Sequence, residues 1–412
     1  MLKGAIEKLS GERTSIGIDI TDPYVQISYA DEKGELQTFE EEGSLLIPAV
    51  LSKEKGKDIW SCGAEAVSAQ NCIQVKNILS KAHDGNLVEI DGMDYDPVDL
   101  LALLIKKCLS KLARVCPLER IGTVALTVET PDNRTVAVLD QAISIVRIKR
   151  EQVVILSHAE SAYFFVLNEP KGLRSADVLI CNLDEAGLKS IYLKQNRNTT
   201  PVAVLSDERM HSSFKKEDKY LSEIMKGLIG DNDVSAVYLL GTEFSGEWYP
   251  ESLNLICRGR RAFLGTNLFS KGAVIAALER AGRREPDKTH VFLGPDKLRS
   301  NLGLNVVREG EDAYMALLDA GRSWFEAAHE CDLILDDPEP LEIAITPING
   351  MSARTVRVKM DGFPKRPPRA SRIHLEIRMI SDTKAKIKIT DLGFGDLFPS
   401  SGLSWESEFL VS

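Results

Sequence analysis

Twice along this chain, three short apolar stretches joined by polar turns precede an alternation of helical and extended segments, and this repetition limits the fold more than any other feature. The first set is Ile16–Ile18, Val25–Tyr29 and Leu36–Phe39, with Thr21-Asp22-Pro23 and Asp31–Gly34 as turns. The second is Val178–Cys181, Leu188–Leu193 and Val202–Leu205. Short apolar runs bounded by turn residues predict β-meanders.

After the first meander, Leu45–Leu51 reads as extended with an edge proline at Pro48. Gly63–Ser80 reads as helical, and Val88–Gly92 as a short strand and turn. Pro97–Leu112 predicts a helix, with Asp96 as cap, Pro97 in the first turn and an apolar face through Leu101, Leu104, Ile105 and Cys108. Strand Gly122–Val128, helix Asp132–Ile145, strand Val153–Leu156 and helix His158–Leu167 follow. The second meander leads to helix Lys219–Ile229, strand Val234–Leu240 and helices Tyr249–Ile256 and Lys271–Ala281. Beyond Cys331 the texture changes to strands at Leu341–Ile345, Arg354–Met360, Ile373–Ile380 and Ala385–Ile389, with Phe363–Arg369 a proline-broken loop. Asp336–Pro340, acidic and proline-rich, reads as a linker. The Gly-rich loop from Asp391 and the aromatic tail through Trp405 and Phe409 read either as an interaction surface or as part of their own domain.

Composition narrows the class. A chain of 412 residues calls for two or three domains, and 43% hydrophobic with 27% charged residues fits a soluble globular protein. No apolar run approaches the roughly 20 residues that cross a bilayer, and Met1–Thr14 lacks the apolar core of a signal peptide. The seven cysteines stand singly without a CxxC pair, which argues against a disulfide framework or a zinc site. A net charge of −10 argues against a nucleic-acid partner, and Arg258-Gly-Arg-Arg261 is too short to reverse it. The expected setting is cytoplasmic.

In order and spacing the chain resembles the actin-like ATPase superfamily, and most closely the nucleotide-binding domain of DnaK-type heat-shock chaperones. Ile16-Gly-Ile-Asp19 looks like the first phosphate motif, and Cys181–Gly187 stands where the second belongs. Cys62-Gly-Ala-Glu-Ala66 and Val75–Leu79 are similar to the small subdomain of the first lobe, and Ala125–Thr135 to the hinge passage. Leu156–Ala162 looks like the crossing helix with its acid; Leu239–Thr242 and Lys271-Gly-Ala273 resemble the adenosine-side motifs. The likeness covers residues 15–305. It implies an α/β two-lobed, ribonuclease-H-like duplicated fold over residues 15–330, with lobes at about 15–175 and 176–330 and the large insert of lobe two reduced, then a small mostly-β domain over 341–412.

The same resemblance implies site residues. Asp19, Lys76 and Glu160 take the catalytic positions, with Asp19 as a metal ligand through water. Gly17, Thr21, Asn182, Asp184 and Gly187 fall at the phosphate loops, and Gly241, Thr242, Lys271 and Gly272 on the adenosine side. Each also has a plain structural reading: Asp19 as a strand-end turn carboxylate, Lys76 as a solvated lysine, the glycines as strand-end and helix-start residues. Both phosphate loops depart from the family pattern. Pro23 removes an N–H donor and Asp22 adds negative charge in the first; Asp184-Glu185 replaces glycines in the second. The expectation is a degenerate chaperone-like protein that acts through a protein partner, with ATP and magnesium bound weakly or not at all. A slow Mg-ATPase and an actin-like filament or scaffold protein are the alternatives.

Overall fold

The computed structural model describes residues 13–31, 33–336, 340–348 and 352–411. Met1–Glu12, Glu32 of the expected Asp31–Gly34 turn and residues 337–339 of the expected linker lie outside them. The chain is mixed α/β and forms two compact units, Met1–His290 and Val291–Ser412.

Unit one opens with β1 (Thr14–Ile20), β2 (Tyr24–Ala30), β3 (Leu36–Thr38), β4 (Ile47–Pro48), β5 (Leu51–Glu54) and β6 (Trp60–Cys62). There follow α1 (Ala64–Ser68), β7 (Cys72–Val75), α2 (Ile78–Asp84), β8 (Val88–Ile90), β9 (Met93–Tyr95) and α3 (Pro97–Leu112). Then come β10 (Ile121–Val128), α4 (Asn133–Val146), β11 (Val153–Ser157) and α5 (His158–Asn168). The second half comprises β12 (Asp177–Asp184), β13 (Gly187–Asn196), β14 (Val202–His211), α6 (Asp218–Ile229), β15 (Val234–Leu240), α7 (Pro250–Ile256), β16 (Arg261–Gly265) and α8 (Leu268–Arg280).

These strands build two sheets with one topology. In the first, the order β11-β10-β1-β2-β3 sets an antiparallel meander beside two parallel strands. The second repeats it as β16-β15-β12-β13-β14, again with β15 and β16 parallel to β12. Strands β1 and β10 are buried almost throughout, as parallel strands covered on both faces must be.

Three helices start at a side-chain cap. The Asp96 carboxylate accepts from Val98 N at 2.8 Å to start α3, and the Asp132 carboxylate accepts from Thr135 N at 2.7 Å to start α4. Ser157 Oγ accepts from Glu160 N at 3.1 Å and caps α5. Helix α8 lies against β1 and α5 so closely that two glycines are required. A Cβ at Gly17 would lie 2.2 Å from the Ser270 carbonyl oxygen, and one at Gly272 would lie 1.9 Å from that of Ser161.

The stretch Gly63–Ser80 is not one helix. It is α1, strand β7 and the start of α2, because Asn71 and Asn77 adopt φ of 55° and 56° and break the helical path. Between those breaks Cys72–Val75 pairs antiparallel with β5.

Strand β17 (His290–Phe292) spans the boundary between the units. Unit two continues with β18 (Ser300–Arg308), β19 (Glu311–Leu318), β20 (Ala328–Ile334), β21 (Leu341–Pro347), β22 (Arg354–Val358), β23 (Arg372–Met379), β24 (Lys384–Gly393) and β25 (Ser404–Leu410). Two four-stranded antiparallel sheets, β19-β18-β21-β22 and β20-β23-β24-β25, share one core that includes Leu302, Ile343, Leu375 and Ile387. The β-rich unit therefore begins at Val291 rather than after residue 330. Strands β18 and β20 pair with β21 and β23, so Asp336–Pro340 joins two strands of one unit and links no domains.

The glycine-rich loop after β24 is pinned from beneath. Asp391, 1% exposed, accepts two hydrogen bonds from the Arg366 guanidinium at 2.7 and 2.8 Å, and others from Gly393 N and Ser401. Arg366, then Ser401 and Gly393, hold this carboxyl far below its ordinary range against the opposing effect of burial. The tail is strand β25, with Trp405 and Phe409 packed on the core of its own unit.

Candidate functional site

The carboxyl ends of the parallel strands in both sheets of unit one meet at a cavity of about 590 Å³. Ligands of open α/β sheets bind at such strand ends. Equivalent elements of the two sheets contribute in pairs. The β1–β2 turn (Thr21, Asp22, Pro23) and the β12–β13 turn (Glu185, Ala186) both line the cavity. Glu129 follows β10 as Gly241 and Thr242 follow β15, and His158 follows β11 as Thr266 follows β16.

In each turn a backbone N–H is bonded locally. Thr21 N donates to the Tyr24 carbonyl at 3.0 Å, and the Thr21 hydroxyl donates to the same oxygen at 2.8 Å. Pro23 has no N–H. The Asp22 carboxylate accepts from Ser80 N at 3.1 Å and from the Ser80 hydroxyl. In the other turn, the Asp184 carboxylate accepts from Ala186 N at 2.9 Å and from the Asn182 amide at 3.3 Å. Gly187 closes this two-residue hairpin opposite Asp184 with φ of 125°, a conformation that favours glycine. Gly241 has φ of 95°, and a Cβ there would meet the Leu183 carbonyl oxygen at 2.1 Å.

Beneath the cavity sits a buried pair. Asp19 is 1% exposed, and its Oδ1 lies 2.8 Å from His158 Nε2. The His158 ring stacks on Phe269 with centroids 4.1 Å apart and planes within 6°. Burial, then Asp19 and then Asp184 push the Tyr24 phenol far above its usual range, so it stays protonated.

The lining is strongly acidic. It carries five carboxylates (Asp22, Glu129, Asp184, Glu185, Glu208) and one ammonium, Lys189. That ammonium, from β13, pairs with Glu129 after β10 and so joins the two sheets. Burial lowers the Lys189 pKa, with Glu208 pulling the other way. Among the described residues, no three His, Cys, Asp or Glu side chains are grouped to hold a metal ion.

Of the residues anticipated from sequence, Thr21, Asn182, Asp184, Gly187, Gly241 and Thr242 all line the cavity. Asp19 stands behind His158. Gly17 and Gly272 instead sit where α8 meets β1 and α5. Lys76 is exposed on the short link between β7 and α2, and its neighbour Asn77 reaches the lining. Glu160 is buried in the first turn of α5, and half-buried Lys271 lies in α8, where it acts electrostatically on Glu169. Sequence reasoning missed Glu129, Lys189, Glu208 and Phe269. Superposing the two strand patterns would have found Glu129, which occupies the position of Gly241 in the other repeat.

Fold and site thus define a mixed α/β protein with two sheets of like topology and an acidic cavity at their strand ends. The chain belongs to the family of unknown function DUF5716, whose C-terminal region it matches over residues 32–295. Residues 297–411 match a domain of unknown function, DUF8552, and the two matches divide the chain close to the boundary of its compact units. A comparison with curated proteins gave no match. Among the described residues, no helix is long and apolar enough to cross a membrane.

Proposed function

We propose that unit one is an actin-like, ribonuclease-H-like duplicated fold of the heat-shock-chaperone type whose cleft no longer serves ATP turnover, and that the protein acts as an interaction module with weak or no nucleotide binding. The repeated strand order and the cavity between equivalent turns support the fold reading. One observation carries the functional half: both turns at the phosphate positions place carboxylates on the cavity, Asp22 in the first and Asp184 and Glu185 in the second. Thr21 N is bonded within its own turn, Pro23 has none, and Ala186 N is taken by Asp184. Phosphate binding rests on free N–H groups and positive charge, and this lining carries one ammonium that already faces Glu129.

The test is an anisotropy titration with fluorescent ATP in magnesium, alongside a phosphate-release assay. The reading expects no saturable binding below millimolar protein and no release above background. Micromolar binding, with release abolished by Asp19→Ala, establishes the slow Mg-ATPase instead. Concentration-dependent sedimentation of the free chain detects the filament alternative.

A further inference from the structure

We propose that the cavity of unit one binds an organic cation, a primary ammonium or guanidinium carried on an apolar stem. The inference rests on the reading above, that the cleft does not hold polyphosphate. Three observations converge on this chemistry.

The carboxylates come from both sheets: Asp22 and Glu129 from the first, Asp184, Glu185 and Glu208 from the second. Two of them are fixed in place, Asp22 by Ser80 and Asp184 by Asn182 and Ala186, so their charge is positioned before any ligand arrives. They are spread around the lining, and among the described residues no three converge as metal ligands. This arrangement suits a charge carried on a molecule better than a bare ion.

The second observation is an internal example. Lys189 places an ammonium from one sheet on Glu129 of the other, so the cavity already holds the group proposed, tethered to the chain. Burial lowers the pKa of that ammonium, as expected where water is partly excluded.

The third is the rest of the wall. Ile20, Leu79, Ile180, Ile191, Leu240 and the Phe269 ring face the same space. A cavity of about 590 Å³ has the size of a small-molecule site, and apolar walls with a few placed charges are the usual composition of one. An apolar stem lies on these walls while its cationic end meets the carboxylates. A free polyamine and a lysine or arginine side chain of a protein partner share this chemistry.

The experiment is calorimetric titration of the full chain at constant ionic strength, with spermidine in one arm and the peptide acetyl-Ala-Leu-Lys-Leu-Ala-amide in the other. Saturable submillimolar binding is expected in at least one arm. Spermidine alone points to a free polyamine, and the peptide to a partner's side chain. The double variant Asp184→Asn/Glu185→Gln weakens binding by about tenfold or more. Glu311→Gln/Asp312→Asn, an equal charge change on exposed residues of unit two, leaves it unchanged. If the first variant melts early, Glu208→Gln replaces it. No saturable binding in either arm, or equal weakening in the control, overturns the proposal. A parallel MgATP titration separates the two failures: MgATP binding defeats the underlying reading, whereas silence in every arm defeats only this inference.

Discussion

Glu279 in α8 shows how a single residue ties this fold to pH. Burial raises its pKa from 4.5 to about 7; Arg284 offsets part of the rise and Asp287 adds to it. Between those two values the folded chain binds more protons at this site than the unfolded chain does. Its contribution to stability is therefore full below about pH 4.5 and is lost as pH rises through 7. After discounting for residual exposure the effect is roughly 1–3 kcal/mol. Glu279→Gln removes the titration, so the variant should gain melting temperature relative to the parent between pH 5 and pH 8, roughly the span of that titration. Parallel melting curves for the two proteins across that range contradict the assignment. The Asp19–His158 pair answers to a different logic. Removing one partner from a buried hydrogen bond leaves the other unsatisfied, at roughly 1–3 kcal/mol, so loss of activity in Asp19→Ala has meaning only beside a melting curve.

Elements in this chain are set by where backbones meet as much as by apolar periodicity. Helix α8 crosses α5 at Gly272, where a Cβ would lie 1.9 Å from the Ser161 carbonyl oxygen and 2.6 Å from its carbon. Gly272→Ala must push the two helices apart and should lower stability by about 1–3 kcal/mol. Gly227 of α6 has open space around its Cβ position, so Gly227→Ala should raise stability by up to about 1 kcal/mol. Thermal denaturation of both variants checks the contrast, and equal shifts contradict it. Helices α3, α4 and α5 were legible because cap residue, apolar stripe and length agree at each. Strand β7 was not, because Cys72–Val75 is too short to show a period and its helix-breaking neighbours are asparagines. Strands β19 and β20 were hidden by their own composition. In Glu311–Leu318 the exposed face carries Asp312, Tyr314 and Ala316, and in Ala328–Ile334 the inward residues include His329 and Cys331. The site was half legible. Its turns and glycines can be placed from sequence, but Glu129 reaches the cavity only because β10 pairs with the distant β1, and Lys189 and Glu208 only because β13 and β14 turn these side chains toward it.

At the scale of the whole molecule, the chain divides near residue 290, and the two family matches divide it at nearly the same point. Composition misplaced this boundary because the acids and prolines of 336–340 read as a linker, whereas strand pairing assigns residues 300–334 to unit two. Within unit one the two repeated sheets hold turns in equivalent places, and the side chains these turns bring to the cavity include carboxylates. The account therefore turns on whether these turns accept a nucleotide. The most direct measurement is thermal unfolding of the full chain at fixed concentration, with and without millimolar MgATP. A ligand present at one hundred times its dissociation constant stabilises the folded state by about 2.7 kcal/mol, which for a unit of this size moves the midpoint by about 5 °C or more. The account predicts no shift of the unit-one transition with ATP, ADP or GTP. A rise of several degrees with MgATP, absent with magnesium alone, would contradict it.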